Sequence, residues 1–251
     1  AEYAVERLPR TEEGGLQHVT IDSDNFMQLW DDTLYMTVLF VARMGALLGR
    51  EDYVQESVRQ FLVHIKYLTD PASGLFFHGF NFAGRHHYAG ALWGRGNAWY
   101  TAGLVEYLEL AQIPEGVRLF LLSTLETQAQ ALRALQDKSG MWHTLLNDPQ
   151  SYLESSATAG FSYGLLKAAR LGYLPRGGRG VRVAATPPPL RHADEQRDAL
   201  AQISEAARID AAFRELCQER ADLPGALLPF LLGRPLTDLL AEVGLRPAEE
   251  A

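Results

Sequence analysis

Two adjacent carboxylates, Asp31 and Asp32, stand in the stretch Leu29–Met36, L-W-D-D-T-L-Y-M. Side by side they resist double ionisation, so one can keep a proton near neutral pH, as a general acid must. At adjacent helical positions they point about 100° apart, so only one faces a central pocket well. The competing reading is a helix N-terminus, where capping and the helix dipole favour acidic residues without any catalytic role.

A second group is Trp93-Gly94-Arg95-Gly96-Asn97-Ala98-Trp99. Indole faces stack on the apolar faces of sugar rings, and a guanidinium pairs with a carboxylate through two hydrogen bonds. Glycines let the backbone approach a ligand closely. Trp93 and Trp99 could thus wall a pocket in which Arg95 holds an acid group; the alternative is a packed helix start with a structural arginine. His78, after Phe76-Phe77, reads as a hydrogen-bond donor to a substrate or, equally, as a turn-stabilising loop residue. His86-His87 are adjacent on a loop and lack the spacing of a closed zinc site, so no metal site is expected. Phosphate-binding glycine loops, nucleophile elbows and dinucleotide fingerprints are absent from the sequence.

The elements that must position these groups are helical. Leu34, Val38, Val41, Ala42 and Gly45 recur at helical spacing, which predicts a helix over 30–48 stopping at Gly49. Further helices are predicted over 52–68, 94–111, 115–136 and 152–171, the last ending at Gly172, while 1–28 reads as irregular. Three loops repeat a small-Gly-apolar-X-His pattern: Gly14–His18, Ser73–His78 with one extra residue, and Ser139–His143. The last two also read as short turn-strands. The loops lie roughly 60 residues apart with helix pairs between, so the unit is a helical hairpin closed by a strand-like loop. Stacked hairpins of this kind give an all-α toroid or solenoid. The stretch 175–190, rich in Gly, Arg and Pro, reads as a linker or loose loop, followed by helices at 191–218 and 235–243.

With 251 residues there is enough chain for a sizeable core. A net charge of −8 offers no basic face for nucleic acid. No apolar run is long enough for a membrane span. A single cysteine, Cys217, excludes a disulfide framework and fits a reducing compartment, so a cytoplasmic location is expected. The chain starts at Ala1 without an initiator Met or a signal pattern, so an upstream segment would be invisible.

Together the motifs resemble those of the unsaturated uronyl hydrolases, especially the unsaturated rhamnogalacturonyl hydrolases of glycoside hydrolase family 105. The resemblance runs from Gly14 to Leu174. It rests on W-x-D-T-L-x-M at Trp30–Met36, G-L-x-x-H ending at His78, W-x-R-G-N-x-W at Trp93–Trp99, G-x-W-H-T-L-L at Gly140–Leu146 and S-Y-x-E-S-S-A at Ser151–Ala157. It implies an (α/α)6 toroid, with Asp32, directly before the Thr, as catalytic acid/base. It also implies His78, Trp93, Arg95 and Trp99 as the substrate-binding wall, with Asp31 beside them. The implied reaction removes a terminal 4,5-unsaturated uronic acid from lyase-generated oligosaccharides, without metal or organic cofactor.

Two departures stand against that family. About 30 residues precede W-x-D-T here, so the family's first helices, one with a second active-site Asp, are expected to be missing. Residues 175–251 do not match and contain no Trp or Tyr. The expected organisation is therefore a partial toroid domain over 1–174 and a divergent tail over 175–251. An incomplete wall exposes apolar faces, which pairing with a second copy would cover. An inactive chain that at most binds acidic sugars, and an unsaturated glucuronyl hydrolase acting on other polysaccharide fragments, are the alternative functions.

Overall fold

The computed structural model describes residues 1–20, 23–87 and 90–174. The expected linker, tail helices and boundary at 174/175 lie outside the described residues. Those described are mostly helical: α1 Glu2–Glu6, α2 Leu39–Leu48, α3 Glu51–Leu68, α4 Gly94–Leu110, α5 Glu115–Leu135 and α6 Ser155–Leu171. Two small antiparallel pairs join them, β1 Gln28–Trp30 with β2 Gly79–Asn81, and β3 Trp142–His143 with β4 Leu153–Glu154.

The helices follow from their patterns. Along α3, Val54, Val58, Phe61, Ile65 and Leu68 turn one apolar face inward; burying Phe61 completely stabilises the fold by roughly 1.5–3 kcal/mol. Glu51 and Asp52 in its first turn and Lys66 in its last complement its dipole. As the sequence predicts, α2 ends at Gly49 and α6 at Gly172, both left-handed at φ 63° and 74°.

Helix α4 packs against α2 on one side and α6 on the other, while α3 backs α2 and α5 backs α4. The α4–α6 contact is close because Gly160 and Gly164, one turn apart, lie against Ala98 and Thr101. One core gathers Leu34, Val38, Phe61, Tyr100, Leu104 and Leu121; a second gathers Leu75, Leu132, Trp142, Ala157, Phe161 and Leu165.

Three boundaries differ from the sequence expectation. Residues 28–30 form β1, and the helical stretch that follows opens with a π-helical turn, Leu34–Val38, so Trp30 belongs to a strand. Strand β2 follows His78 instead of lying within 73–78. Leu153 and Glu154 pair with β3 before α6 begins. In each case backbone groups find partners far along the chain, which local periodicity does not register. The stretch expected to be irregular also holds the short helix α1.

The three repeated loops share one construction. Their glycines, Gly14, Gly74 and Gly140, all sit at φ 75–85°, where a side chain would be strained. Each loop closes on itself: Thr11 N–H donates to Gly15 O, Asp70 N–H to Leu75 O, and Asp137 N–H to Met141 O, at 2.8–2.9 Å. Each is then latched by a helical side chain. Gln60 Oε1 accepts from Leu16 N–H (2.8 Å), Asn97 Oδ1 from Phe76 N–H (2.8 Å), and Thr158 Oγ1 from Trp142 N–H (3.1 Å).

Candidate active site

The loops and sheet pairs deliver side chains to the N-terminal ends of α2, α4 and α6. In the β1–β2 pair Trp30 lies opposite Gly79, and Asp31 N–H donates to His78 O at 3.0 Å. This register sets the two aspartates beside the His78 ring. Nδ1 of His78 lies 2.7 Å from Oδ1 of Asp31 and 3.3 Å from Oδ2 of Asp32. The carboxylates differ sharply in access: the Asp31 side chain is 1% exposed and that of Asp32 is 19%.

The aromatic wall begins at β1. The His18 ring stacks flat on Trp30, centroids 4.3 Å apart, and its Nδ1 is 2.9 Å from Thr33 Oγ1. Trp30 touches His78 at 4.9 Å, and His78 meets Trp93 edge-on at 4.8 Å. Trp93 precedes the first turn of α4, which is held in place by Gly94 N–H donating to Thr144 O (2.7 Å). The Arg95 guanidinium lies over the Trp93 ring at 5.3 Å. Its Nε donates to Glu154 Oε1 (2.8 Å) and Ser156 Oγ (3.0 Å), while the side chain stays 44% exposed. Trp99, a turn further on, packs on Tyr35 at 4.8 Å, with its indole N–H buried and unpartnered among the described residues.

Burial sets the electrostatics. Taking Asp31 out of water pushes its carboxyl up to about 8, against the pull of the His78 hydrogen bond. Burial also weighs against a charged His78, but the Asp31 hydrogen bond and the charges of both aspartates outweigh it, so His78 titrates above its ordinary value. Desolvation lowers His18, with Asp32 opposing and His78 adding to the shift. Asp31, Asp32 and His78 place one ligand atom each within 4.8 Å of one another. The His78 nitrogen in that set faces both carboxylates, hydrogen-bonded to Asp31 Oδ1 and 3.3 Å from Asp32 Oδ2.

Asp31, Asp32, His78, Trp93 and Arg95 are thus brought into one run of contacts, whereas Trp99 packs on Tyr35 outside it. Asp31 departs from its expected place against a substrate: its carboxylate is enclosed and turned to His78. Sequence reasoning does not single out His18, Trp30 and Glu154 as site residues. Signals for all three are present, since His18 closes the first repeated loop, Trp30 opens W-x-D-T and Glu154 sits in S-Y-x-E.

Helical hairpins here gather carboxylates, indoles and an arginine at one end of adjacent helices. The chain belongs to glycosyl hydrolase family 88, whose profile matches residues 1–207. It is 39% identical over 174 residues to the unsaturated rhamnogalacturonyl hydrolase YesR of Bacillus subtilis, covering 68% of this chain and 50% of YesR. Among solved structures it is similar to a possible family 105 member from Salmonella enterica serovar Paratyphi A, at 51% identity and a TM-score of 0.68, over 70% of this chain and 47% of that one. A family 105 glycoside hydrolase of C. acetobutylicum matches at 30% identity and a TM-score of 0.62, over 68% of this chain and 50% of that one. The chain therefore spans about half the length of these relatives.

Proposed function

We propose that this chain carries the acid/base end of an unsaturated uronyl hydrolase acting on lyase-generated oligosaccharides of the pectin or rhamnogalacturonan type. The observation that carries the reading is Asp32: a partly open carboxylate, 3.3 Å from His78 Nδ1, beside a wall of Trp30, Trp93 and Arg95. The similarity to YesR supports the substrate class.

The substrate ring holds an enol ether, so its carbon 4 accepts a proton. Asp32 donates that proton, and positive charge develops at carbon 5 and the ring oxygen. The same carboxylate then takes a proton from the water that adds to carbon 5. The hemiketal so formed opens and the aglycone sugar leaves. An ordinary glycosidase instead protonates the glycosidic oxygen with a carboxylate pair at set separation. In this reading Arg95, braced by Glu154, holds the uronate carboxylate through its exposed end-on nitrogens. His78 donates to a ring hydroxyl, and Trp93 and Trp99 flank the ring. An incomplete toroid around this site and a cytoplasmic place of action belong to the same reading; among the described residues no helix is long and apolar enough to cross a membrane.

The test is the absorbance of the conjugated double bond. Purified protein is mixed with lyase-generated pectin, rhamnogalacturonan and glycosaminoglycan disaccharides, and a falling signal on the first two is expected. Asp32→Asn should cut turnover by about 10²–10⁴-fold while leaving the thermal transition in place. Turnover retained in that variant would remove Asp32 from the mechanism. The half-length match favours one second reading, a chain that binds acidic sugars without hydrolysing them. Calorimetric binding together with a flat absorbance trace on every substrate would establish it. A signal confined to glycosaminoglycan disaccharides would move the substrate to unsaturated glucuronyl groups.

A further inference from the structure

We infer that Asp31 is a positioning residue that acts through His78, and that Gly96 is a glycine because the Asp31 carboxylate occupies the space a side chain there would need. The inference rests on the reading of Asp32 as the acid/base, but its geometry stands apart from it.

Three observations converge on Asp31. Its side chain is 1% exposed, so it is closed off from a substrate. One oxygen, Oδ1, accepts from His78 Nδ1 at 2.7 Å, and the backbone of the same residue donates to His78 O. The two residues are therefore clamped twice, once through the main chain and once through the side chains. The other oxygen, Oδ2, is buried without a hydrogen-bond partner and lies against the first turn of α4. A Cβ built on Gly96 would fall 2.1 Å from that oxygen, 2.9 Å from Asp31 Cγ and 3.1 Å from Oδ1. No such contact is tolerable, so the carboxylate and a residue-96 side chain exclude each other. The helix N-terminus offers positive potential to the carboxylate and partly offsets its burial.

The consequence is chemical. With Nδ1 committed to Asp31, the imidazole has a fixed plane and a fixed tautomer, and Nε2 is the nitrogen by which the ring meets other groups. A carboxylate behind a histidine also raises the basicity of the ring, which keeps His78 able to donate from Nε2. The groups facing this pair are Asp32, His18 through its charge, and the ring edge of Trp93. Asp31 thus sets how His78 is presented beside the acid/base without touching the reacting ring.

The experiment follows the His78 imidazole by ¹⁵N NMR in histidine-labelled full-length protein, alongside the absorbance assay. Asp31→Asn keeps an acceptor for Nδ1 but removes the ionisable carboxyl that shares a proton with the imidazole. It should lower the His78 titration midpoint by about one pH unit or more. It should also reduce kcat by about 10- to 100-fold with little change in KM, the range for partners that orient a histidine. Gly96→Ala should give the same spectral and kinetic changes by displacing the carboxylate. Because Gly96→Ala alone could fail to fold, it is paired with Asp31→Ala. In that background the added methyl has room, so the double variant should match the Asp31→Ala single variant in Tm and spectrum. A His78 titration unchanged by Asp31→Asn, or a Gly96→Ala penalty that persists undiminished in the Asp31→Ala background, would overturn the inference. If the wild-type chain turns over none of the substrates, the spectral and stability arms still decide the question.

Discussion

Asp31 and Asp32 are the same residue type in adjacent positions, yet one is enclosed and the other half open. The sequence displayed the pair and its chemistry. What gives the two carboxylates different surroundings is the β1–β2 register, which a chain of letters does not carry. The same enclosure has a thermodynamic sign. A carboxyl raised to about 8 in the folded state favours folding most below its unfolded value, and that contribution is lost as pH rises towards 8. His78 is also raised and shares its hydrogen bond with Asp31, so the two titrate as one pair whose contribution is present at low pH and is lost as pH climbs. His64 acts oppositely. It lies fully buried in α3 with Nδ1 on Gln60 O, and burial pulls it down to about 4. Its contribution is present above the unfolded value of 6.5 and is lost as pH falls towards 4, a loss of about 3 kcal/mol. Melting temperature measured from pH 4 to 9 should therefore fall on both sides. Asp31→Asn should flatten the alkaline limb. His64→Gln, which does not titrate, should flatten the acid limb.

At the scale of elements, the helices were legible because each buries one face at helical spacing, and the stops at Gly49 and Gly172 were legible because those glycines take left-handed geometry. The hairpin loops were legible as a repeat, extra residue included. Of the strands, β3 falls within the turn-strand read at Ser139–His143, but β1, β2 and β4 were not legible: each is two or three residues long, too short for an alternation to register, and is created by a partner some distance along the chain. The latches were invisible for the same reason. Asn97 had been noted only as a letter within W-x-R-G-N-x-W. In the fold it is completely buried, accepting from Phe76 N–H and donating to both Phe76 O and Trp93 O. It ties the His78 loop to the start of α4 and so joins two parts of the site. Asn97→Ala strands the Phe76 peptide groups, which should cost about 2–4 kcal/mol in urea unfolding. Activity should fall further than stability alone explains, because the loop that presents His78 is released.

At the scale of the molecule, the chain covers half the length of its relatives, and α2 and the turn before it expose Met36, Phe40, Leu47 and Leu48. The site nonetheless holds together, because its members are tied to helices within the described residues. Those ties all run forward. The first loop is latched by a side chain 44 residues later, the second by one 21 residues later, and the third by one 16 residues later. A chain growing from its N-terminus therefore lacks each of these three latches until the following helix has been made. The pocket would be assembled in sequence, His18 first and His78 next, with the segment bearing His143 closing last. Pulse proteolysis of ribosome-bound chains stalled before and after Thr158 should find the 137–143 loop cleavable in the first and protected in the second, while the two earlier loops are already protected in both. The direction of synthesis is in this sense part of the architecture: each of the three latches waits for a helix not yet made.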